Sequence, residues 1–406
     1  MSSQSRDLNA RAIPAKEDGL ALPEQEAAPH QEDALGPAAT ETKVAVAGQW
    51  QLMRWKFKRH KLAVVSLWII AFLYLIALFV EFLAPADPEK VAERYKYLSP
   101  RGLSFINAEG NFSLRPGVYG LASTRNPETL RVLTPDKTKW YPIHFFVRGD
   151  EYKMWGFIKS DRHLFGLGNK AAEEQAPFFL MGSDRLGRDM LSRIIYGTRI
   201  SLSIGLLSVA ASLIFGIILG GISGYFGGAV DNTVQRIIEF VRSIPQIPIW
   251  LAIAAALPTS WGSIRIFFVI TLILSLLSWT SLARVVRGRF LSLREEDFVM
   301  AARFAGASEA RIIFRHMVPS FLSHIIATLT LNIPQIILFE TSLSFLGLGL
   351  RPPVISWGVL LQEAQNVQTV ALSPWLLAPG VIVVVAVLSF NFMGDGMRDA
   401  ADPYSR

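Results

Sequence analysis

The sequence predicts an all-α polytopic membrane protein with six transmembrane helices. Of its 406 residues, 51% are hydrophobic and only 18% are charged, whereas soluble domains carry about 25% charged residues. The apolar residues are grouped in long runs instead of being spread periodically along the chain. Several runs reach the roughly 20 residues that a helix needs to cross a bilayer.

Composition also excludes several kinds of site. The chain has no cysteine, so it has no disulfide framework, Cys-liganded metal site or thiol nucleophile. It has no Walker A or H-E-x-x-H motif, and its six His are scattered. We therefore predict no catalytic residue, no metal and no cofactor bound by this chain. The net charge of +7 is explained by Arg and Lys at the cytoplasmic edges of membrane helices, so we predict no nucleic-acid partner.

The N-terminal region predicts a cytoplasmic tail followed by a signal anchor. Residues 1–50 are rich in Ala, Pro, Glu and Gln and lack an apolar core, which predicts a disordered tail and not a signal peptide. The first transmembrane helix, within residues 51–84, follows a basic cluster that holds the N-terminus inside. This cluster comprises Arg54, Lys56, Lys58, Arg59 and Lys61.

Six apolar segments are candidate membrane spans. They cover residues 62–83, 200–223, 233–257, 265–284, 320–346 and 374–394. The second contains Gly216 and Gly220 at a four-residue spacing, which either lets helices approach closely or reflects ordinary glycine usage in membrane helices. The third is the weakest, because it has charged residues at one end and contains Pro245 and Pro248.

The weak third span is retained on topological grounds. Residues 284–316 contain seven Arg against four acidic residues, and the positive-inside rule places them in the cytoplasm together with the N-terminal cluster. An even number of crossings must separate the two, and the first four candidates satisfy this requirement. The C-terminus, residues 396–406, then also lies inside. The long segment 85–198 lies outside, where alternation in residues 140–157 predicts short strands in a small folded element.

A short basic segment, VMAARFAGASEARIIFRHMVP (299–319), interrupts the apolar runs. At helical spacing its small residues group near one face and leave a surface onto which another protein can pack closely. These residues are Ala301, Ala302, Ala305 and Gly306. Gly306 costs about 1 kcal/mol of helix stability relative to Ala, so we expect either a turn between two short helices or the close approach of a partner. Pro319 suits the first turn of the next helix.

The same segment resembles the EAA loop of bacterial ABC importer permeases. Met300-Ala301-Ala302, Gly306 and Pro319 match that loop in spacing, although Met300 replaces its first Glu and His316 to Pro319 replace its I-x-L-P. Three further stretches resemble signatures of the C-type permease subunit of the oligopeptide/dipeptide/nickel ABC importer family. They are GSDRLGRDMLSRIIYGTRISL (182–202), ETSLSFLGLGLRPPVISWG (340–358) and NFMGDGMRDAADP (391–403).

This resemblance covers residues from about 50 to 84 and from about 182 to the end, and it departs from the family pattern on the outer side. The family usually runs H-x-x-G directly into T-D, whereas here His163 to Gly166 is separated from Ser183-Asp184 by about sixteen residues. The outer segment is also longer than in many relatives.

The resemblance implies a type I ABC importer permease fold, with a large periplasmic insertion between helices 1 and 2 and the transmembrane core in residues 199–395. It also implies a coupling helix at about 298–316 that docks in a groove of an ATPase subunit. Carried over to this chain, the ATPase-coupling residues are Ala301, Ala302, Arg303, Gly306, Glu309 and Pro319. The alternative is a plain amphipathic loop at the membrane surface.

Two further groups have open roles. The outer-face signature is either part of an outer gate or binding-protein dock, or an interfacial helix whose Arg side chains snorkel and whose Asp caps or pairs. It comprises Asp184, Gly187, Arg188, Asp189 and Arg193. Glu340 lies inside the fifth run, where a carboxylate is costly, so it faces either the translocation path or buried hydrogen-bond partners. Trp357, which follows Pro352-Pro353, either lines this path or has a structural role.

We therefore predict a non-enzymatic permease subunit of an ABC importer in the bacterial inner membrane, multi-pass, with both termini in the cytoplasm. It pairs with a second, different permease and with two ATPase subunits that bind ATP and Mg, and a periplasmic binding protein delivers peptides. The same architecture carrying an oligosaccharide, an opine or a nickel complex is the alternative. A stand-alone secondary transporter predicts inverted repeats and broken helices at matching positions, and neither is evident in the sequence.

Overall fold

The computed structural model describes residues 49–124, 132–168, 176–258 and 260–401. The predicted tail of residues 1–50 lies outside the described residues, apart from its last two. The helices are α1 (Gln49–Arg59), α2 (Lys61–Leu78), α3 (Val80–Leu83), α4 (Met190–Phe226), α5 (Gly228–Ser243), α6 (Gln246–Ala256), α7 (Ser263–Leu293), α8 (Asp297–Phe304), α9 (Glu309–Arg311), α10 (Val318–Ser320), α11 (Leu322–Phe345), α12 (Trp357–Leu361), α13 (Val367–Leu372) and α14 (Ala378–Ala401). The strands are β1 (Ser104–Ile106), β2 (Phe112–Thr124), β3 (Val132–Pro142), β4 (His144–Met154) and β5 (Ile158–Gly166).

Five helices in the described part of the chain are long and apolar enough to cross a membrane. They are α2, α4, α7, α11 and α14, the last preceded by a 3₁₀ turn at Pro374–Leu377. They correspond to all the predicted spans except the third. α4 begins about ten residues before the predicted boundary, because Asp189 caps it by accepting a hydrogen bond from the Ser192 amide.

The third predicted span, residues 233–257, is not one helix. The chain forms the amphipathic α5 and then the apolar α6, with a break at Ile244-Pro245. Pro245 causes the break because it disfavours helical backbone at the residue before it, and Ile244 is extended, with φ −82° and ψ 122°. At 1.5 Å per residue, the 11 residues of α6 reach about half of a 30 Å hydrocarbon core.

The glycines of α4 bring it into close contact with α7. An added Cβ at Gly216 would lie 2.7 Å from a methyl carbon of Leu282, and one at Gly220 would collide with the Ala283 carbonyl oxygen. One turn further, a Cβ at Gly224 would lie 2.7 Å from the Arg287 carbonyl oxygen. Of the two interpretations of this glycine spacing, close helix approach is the one observed.

The segment between α3 and α4 is a β structure, so the all-α class is corrected to a helical bundle with a β insertion. β1, β2 and β3 form an antiparallel sheet in that order, and β4 pairs with β5 as a hairpin. The strands predicted within residues 140–157 are thereby confirmed. A small separate core lies under the sheets and includes Val118, Ile143, Leu167 and Phe178.

Candidate functional site

Residues 297–319, here called the EAA segment, join α7 to α11 and begin with α8. This helix ends in a Schellman turn, because the Gly306 amide donates to the Arg303 carbonyl (3.0 Å) and the Ala307 amide donates to the Ala302 carbonyl (3.1 Å). Gly306 has φ 75°, a conformation that favours glycine, and a Cβ there would meet nothing within 4 Å. Of the two explanations expected for Gly306, the structure therefore shows the turn.

The remainder of the EAA segment is a sequence of short helical turns. The Ser308 hydroxyl caps α9 by accepting from the Arg311 amide, and Glu309, the first residue of α9, is exposed. A wide, π-helical turn spans Ile312–Met317, and Pro319 then lies in the first turn of α10, as predicted. These successive turns change the chain direction between two long helices.

One side of the EAA segment is fixed to the helical bundle. Val299, Ile312 and Met317 are almost completely buried in the main apolar core, and Ala302 packs against the same core. The Arg303 guanidinium lies 5.7 Å from the centroid of the Tyr225 ring, at the end of α4. This segment is therefore packed directly onto the long apolar helices.

The opposite side of the EAA segment is exposed and more apolar than the sequence analysis expected. Ala301 and Ala305 lie on it, whereas Ala302 does not, so the predicted small-residue face is divided between two sides. Phe304 is 86% exposed, and Met300 is also exposed. Phe304 was not among the residues predicted from the sequence, although its i, i+4 spacing from Met300 places both on one helix face.

Residues 182–193, here called the outer-face loop, are organised around the buried carboxylate of Asp184. Its Oδ1 accepts hydrogen bonds from the amides of Leu186 and Arg188, and its Oδ2 accepts from Arg188 Nε at 2.6 Å. The Arg193 guanidinium is also buried and lies 3.5 Å from the same Oδ2. The Arg188 and Arg193 side chains therefore pair inside the protein and do not snorkel. Asp189 caps α4, which is the role that the interfacial-helix interpretation gave it.

The outer-face loop also holds distant parts of the chain together. Gly187, with φ 74°, lies against residues 92–95, and a Cβ there would collide with the Ala92 carbonyl. Arg193 donates to the Pro88 carbonyl (3.1 Å), and Arg188 lies 3.7 Å from Glu363. Burial raises the pKa of Asp189 to about 6 and also raises the pKa of Glu363.

Glu340, near the C-terminal end of α11, and Trp357, the first residue of α12, are both buried. Glu340 is 2% exposed, and its Oε1 accepts hydrogen bonds from the hydroxyls of Ser344 (2.7 Å) and Ser356 (3.0 Å). Ser356 in turn caps α12, while the Trp357 amide donates to Ser201 on α4 (3.1 Å). The carboxylate thus has buried hydrogen-bond partners, and the indole is enclosed between helices.

A cavity of about 440 Å³ opens where α5 meets α6, and no residue lining it was selected from the sequence. Its walls come from α5, α7 and α11 and carry several polar groups at membrane depth. These are Arg242, Ser278, Thr280, Ser281, Asn332 and Gln335. Polar side chains are rare within membrane helices, so their convergence on one cavity sets it apart from the apolar surfaces of the same helices.

The sequence matches two known families. Residues 212–406 match the binding-protein-dependent transport system inner membrane component, and residues 48–100 match the N-terminal TM domain of oligopeptide transport permease C.

Curated relatives carry peptide-transport names. A dipeptide transport system permease protein DppC of Alkalihalophilus pseudofirmus is 40% identical over 55% of this chain and 71% of its own length. An oligopeptide transport system permease protein OppC of Haemophilus influenzae is 39% identical over 58% of this chain and 74% of its own. A DppC of Lactococcus lactis is 31% identical over 86% of this chain and 88% of its own. A chain of the MetNI methionine ABC transporter aligns at a TM-score of 0.41 and 19% identity, over 52% of this chain and 98% of its own, which is too low to establish the fold.

Proposed function

The chain belongs to the family of binding-protein-dependent transport system inner membrane components, and from this premise we propose that it is one of two permease subunits in an ABC importer for peptides. It is a transport subunit and not an enzyme. Peptide as the substrate class is supported by the dipeptide and oligopeptide transporters among its relatives. A second, different permease supplies the other half of the pathway, and a periplasmic binding protein delivers the substrate.

The observation that carries this proposal is the two-sided EAA segment. Its inner side is embedded in the bundle through Val299 and Met317, while its outer side presents Phe304. An exposed aromatic side chain beside small residues fits a groove on a soluble partner. We propose that this partner is one of two ATPase subunits, which bind ATP and Mg, and that ATP-driven closure pulls the EAA segment and the helices attached to it.

The topology proposed for this subunit has both termini in the cytoplasm. With five long helices in the described residues, only three separate the basic N-terminal cluster from the Arg-rich segment 284–316, and the positive-inside rule requires an even number. The consecutive helices α5 and α6 supply the remaining crossing if the chain passes through the membrane as a broken helix. Together they extend about 40 Å at 1.5 Å per residue.

The cavity at the α5–α6 break is the proposed half of the translocation path. Asn332 and Gln335 on α11 face Ser281 on α7 across it, and Arg242 donates to the Ser281 hydroxyl at 3.3 Å. Side chains of this kind bind peptide amides and carboxylates. Glu340 and Trp357, which were predicted as possible path residues, are assigned a supporting role. The Glu340–Ser356 contact joins α11 to the start of α12, and the Trp357–Ser201 contact joins α12 to α4.

Co-purification tests the docking surface. Phe304→Ala should insert into the membrane and unfold at the wild-type temperature, because the side chain is exposed, but it should no longer retain the ATPase subunits in mild detergent. Trp68→Ala is the matched control, since Trp68 is 72% exposed on the apolar α2 and should leave the complex intact. Wild-type retention of the ATPases by Phe304→Ala would remove the basis of the docking proposal.

Uptake experiments test the path separately. Asn332→Leu together with Gln335→Leu should preserve the complex with the ATPases while lowering peptide uptake. If uptake of a labelled dipeptide stays at the wild-type rate in this variant, the cavity is not the path.

A further inference from the structure

The hairpin of β4 and β5 ends in an apolar tip. Three residues join the strands, Trp155, Gly156 and Phe157, and the first two have the positive φ angles of a tight hairpin turn, 52° and 85°. Such turns usually carry polar residues, but here Trp155, Phe157 and Ile158 are all exposed, Phe157 by 72%. A cluster of exposed apolar side chains at a loop tip is typical of a surface that contacts a membrane or another protein.

The hairpin tip is held at the end of the first membrane helix. The Trp155 indole donates to the Leu78 carbonyl at 2.8 Å, and its ring lies 5.9 Å from that of Phe79. Further from the tip, the Phe146 ring lies 6.0 Å from Phe82 on α3. The hairpin therefore lies along α3 with its tip directed toward α2.

A second set of contacts, made by His163, fixes the hairpin further from its tip. His163 on β5 is buried, and its Nδ1 lies 2.5 Å from the Ala84 carbonyl oxygen, while its Nε2 lies 2.9 Å from that of Asp150. With contacts at Leu78, Phe82 and Ala84, the position of the tip along the α2–α3 axis is fixed.

This position coincides with the edge of the hydrocarbon core. Leu78 lies about 25 Å along α2 from Lys61, at 1.5 Å per residue, and the core is about 30 Å thick. One turn beyond Leu78, the charged groups begin, because Arg199 forms a two-pronged ion pair with Glu81 at 2.5 and 2.7 Å. The tip thus lies at the depth at which Trp side chains are enriched in membrane proteins.

We propose that the hairpin tip inserts into the lipid interface of the leaflet that surrounds the C-terminal end of α2. Trp155 and Phe157 then bury their rings at the boundary of the headgroups and acyl chains. Lys153 and Lys159, which face each other across the hairpin just behind the tip, extend their ammonium groups to lipid phosphates. The β structure between α3 and α4 is then held by lipid as well as by the protein. These two attachments fix its orientation relative to the helical bundle.

The absence of cysteine in the chain allows a direct test with single nitroxide labels. The full-length chain carrying Phe157→Cys is labelled in lipid nanodiscs, and its collisions with oxygen and with a water-soluble nickel chelate are measured by EPR. Trp68→Cys on α2 provides the lipid reference. Glu109→Cys provides the water reference, because Glu109 is an exposed polar residue in the turn between β1 and β2.

The label at 157 is expected to resemble the label at 68, with an oxygen-to-nickel collision ratio severalfold above that at 109. Ile158→Cys should give the same result, and adding Phe157→Asp to it should return the ratio toward the value at 109. A water-like ratio at 157 would overturn the proposal. Shielding of the label at 157 from both reagents would also overturn it, because that pattern indicates a protein partner at the tip.

Discussion

The EAA segment and the outer-face loop lie at different parts of the same helical bundle and use their residues in opposite ways. In the outer-face loop most charged side chains are turned inward, with Asp184 and Arg193 almost fully buried, although Arg185 is exposed. In the EAA segment the arginines remain at the surface, the anchoring residues are apolar, and Phe304 is turned outward. The polar groups of the outer-face loop thus form contacts inside the protein, whereas the EAA segment presents side chains at its surface.

This difference separates residues that hold the fold from residues that we propose to contact a partner. Both stretches resemble family signatures in sequence, but such a resemblance alone does not reveal which of the two roles a stretch has. Burial does distinguish them. A charge that is buried and paired affects stability when it is changed, whereas an exposed aromatic residue on a rigid support affects association.

The largest effect on stability is expected from Asp184→Ala. This change leaves the buried Arg188 and Arg193 without their shared carboxylate and removes the acceptor for the amides of Leu186 and Arg188. Removing one partner of a buried ion pair costs about 3–5 kcal/mol of unfolding free energy. Thermal unfolding in detergent measures the loss.

Arg236→Ala is the matched control for Asp184→Ala. Arg236 pairs with Glu239 at 2.7 Å, but both side chains are mostly exposed, so its loss should cost at most about 1 kcal/mol. Equal unfolding temperatures for the two variants would show that the outer-face loop does not stabilise the fold.

A smaller effect on stability is expected at Gly306, where the turn itself is tested. Gly306→Trp places a bulky L-residue at φ 75°, which costs about 1–3 kcal/mol, and it should abolish ATPase association while leaving membrane insertion intact. Gly306→Asn tolerates this backbone conformation and should retain much of both properties. If Gly306→Trp transports at the wild-type rate, the turn does not position the docking surface.

The sequence was sufficient for features that depend on local pattern. Five of the spans and the strands near residue 140 follow from hydrophobic runs and alternation. Residue type limited Asp189 and Gly306 to alternative roles, and the structure shows the cap and the turn. What it could not predict depends on contacts far apart in the chain. The pairing of Arg193 with Asp184 and its bond to the Pro88 carbonyl, and the orientation of Ala302 toward the bundle, are fixed only when the helices pack together.

The smallest expected effect is a change in pH dependence at Asp189. Burial raises its pKa from 3.8 to about 6, so between these values the folded protein binds a proton that the unfolded chain releases. Stability from this group is therefore present below pH 3.8 and is lost as the pH rises through about 6. Asp189→Asn retains an N-cap acceptor and cannot ionise. Its unfolding temperature should therefore rise relative to that of the wild type as the pH is increased across this range.

Asp136 gives a comparison of opposite sign for the Asp189 prediction. It is partly exposed, and hydrogen bonds from the Thr138 hydroxyl (2.6 Å) and amide (3.0 Å) lower the pKa of its carboxyl below the ordinary value. Its stabilising contribution is present above the ordinary pKa and is lost as the pH falls, so Asp136→Asn should lose slightly against the wild type as the pH rises. Thermal unfolding of the three proteins across the range distinguishes the cases. If the unfolding temperatures of Asp189→Asn and the wild type change in parallel with pH, this carboxyl ionises as freely as one in water. The outer-face loop would then not be closed to solvent around Asp189.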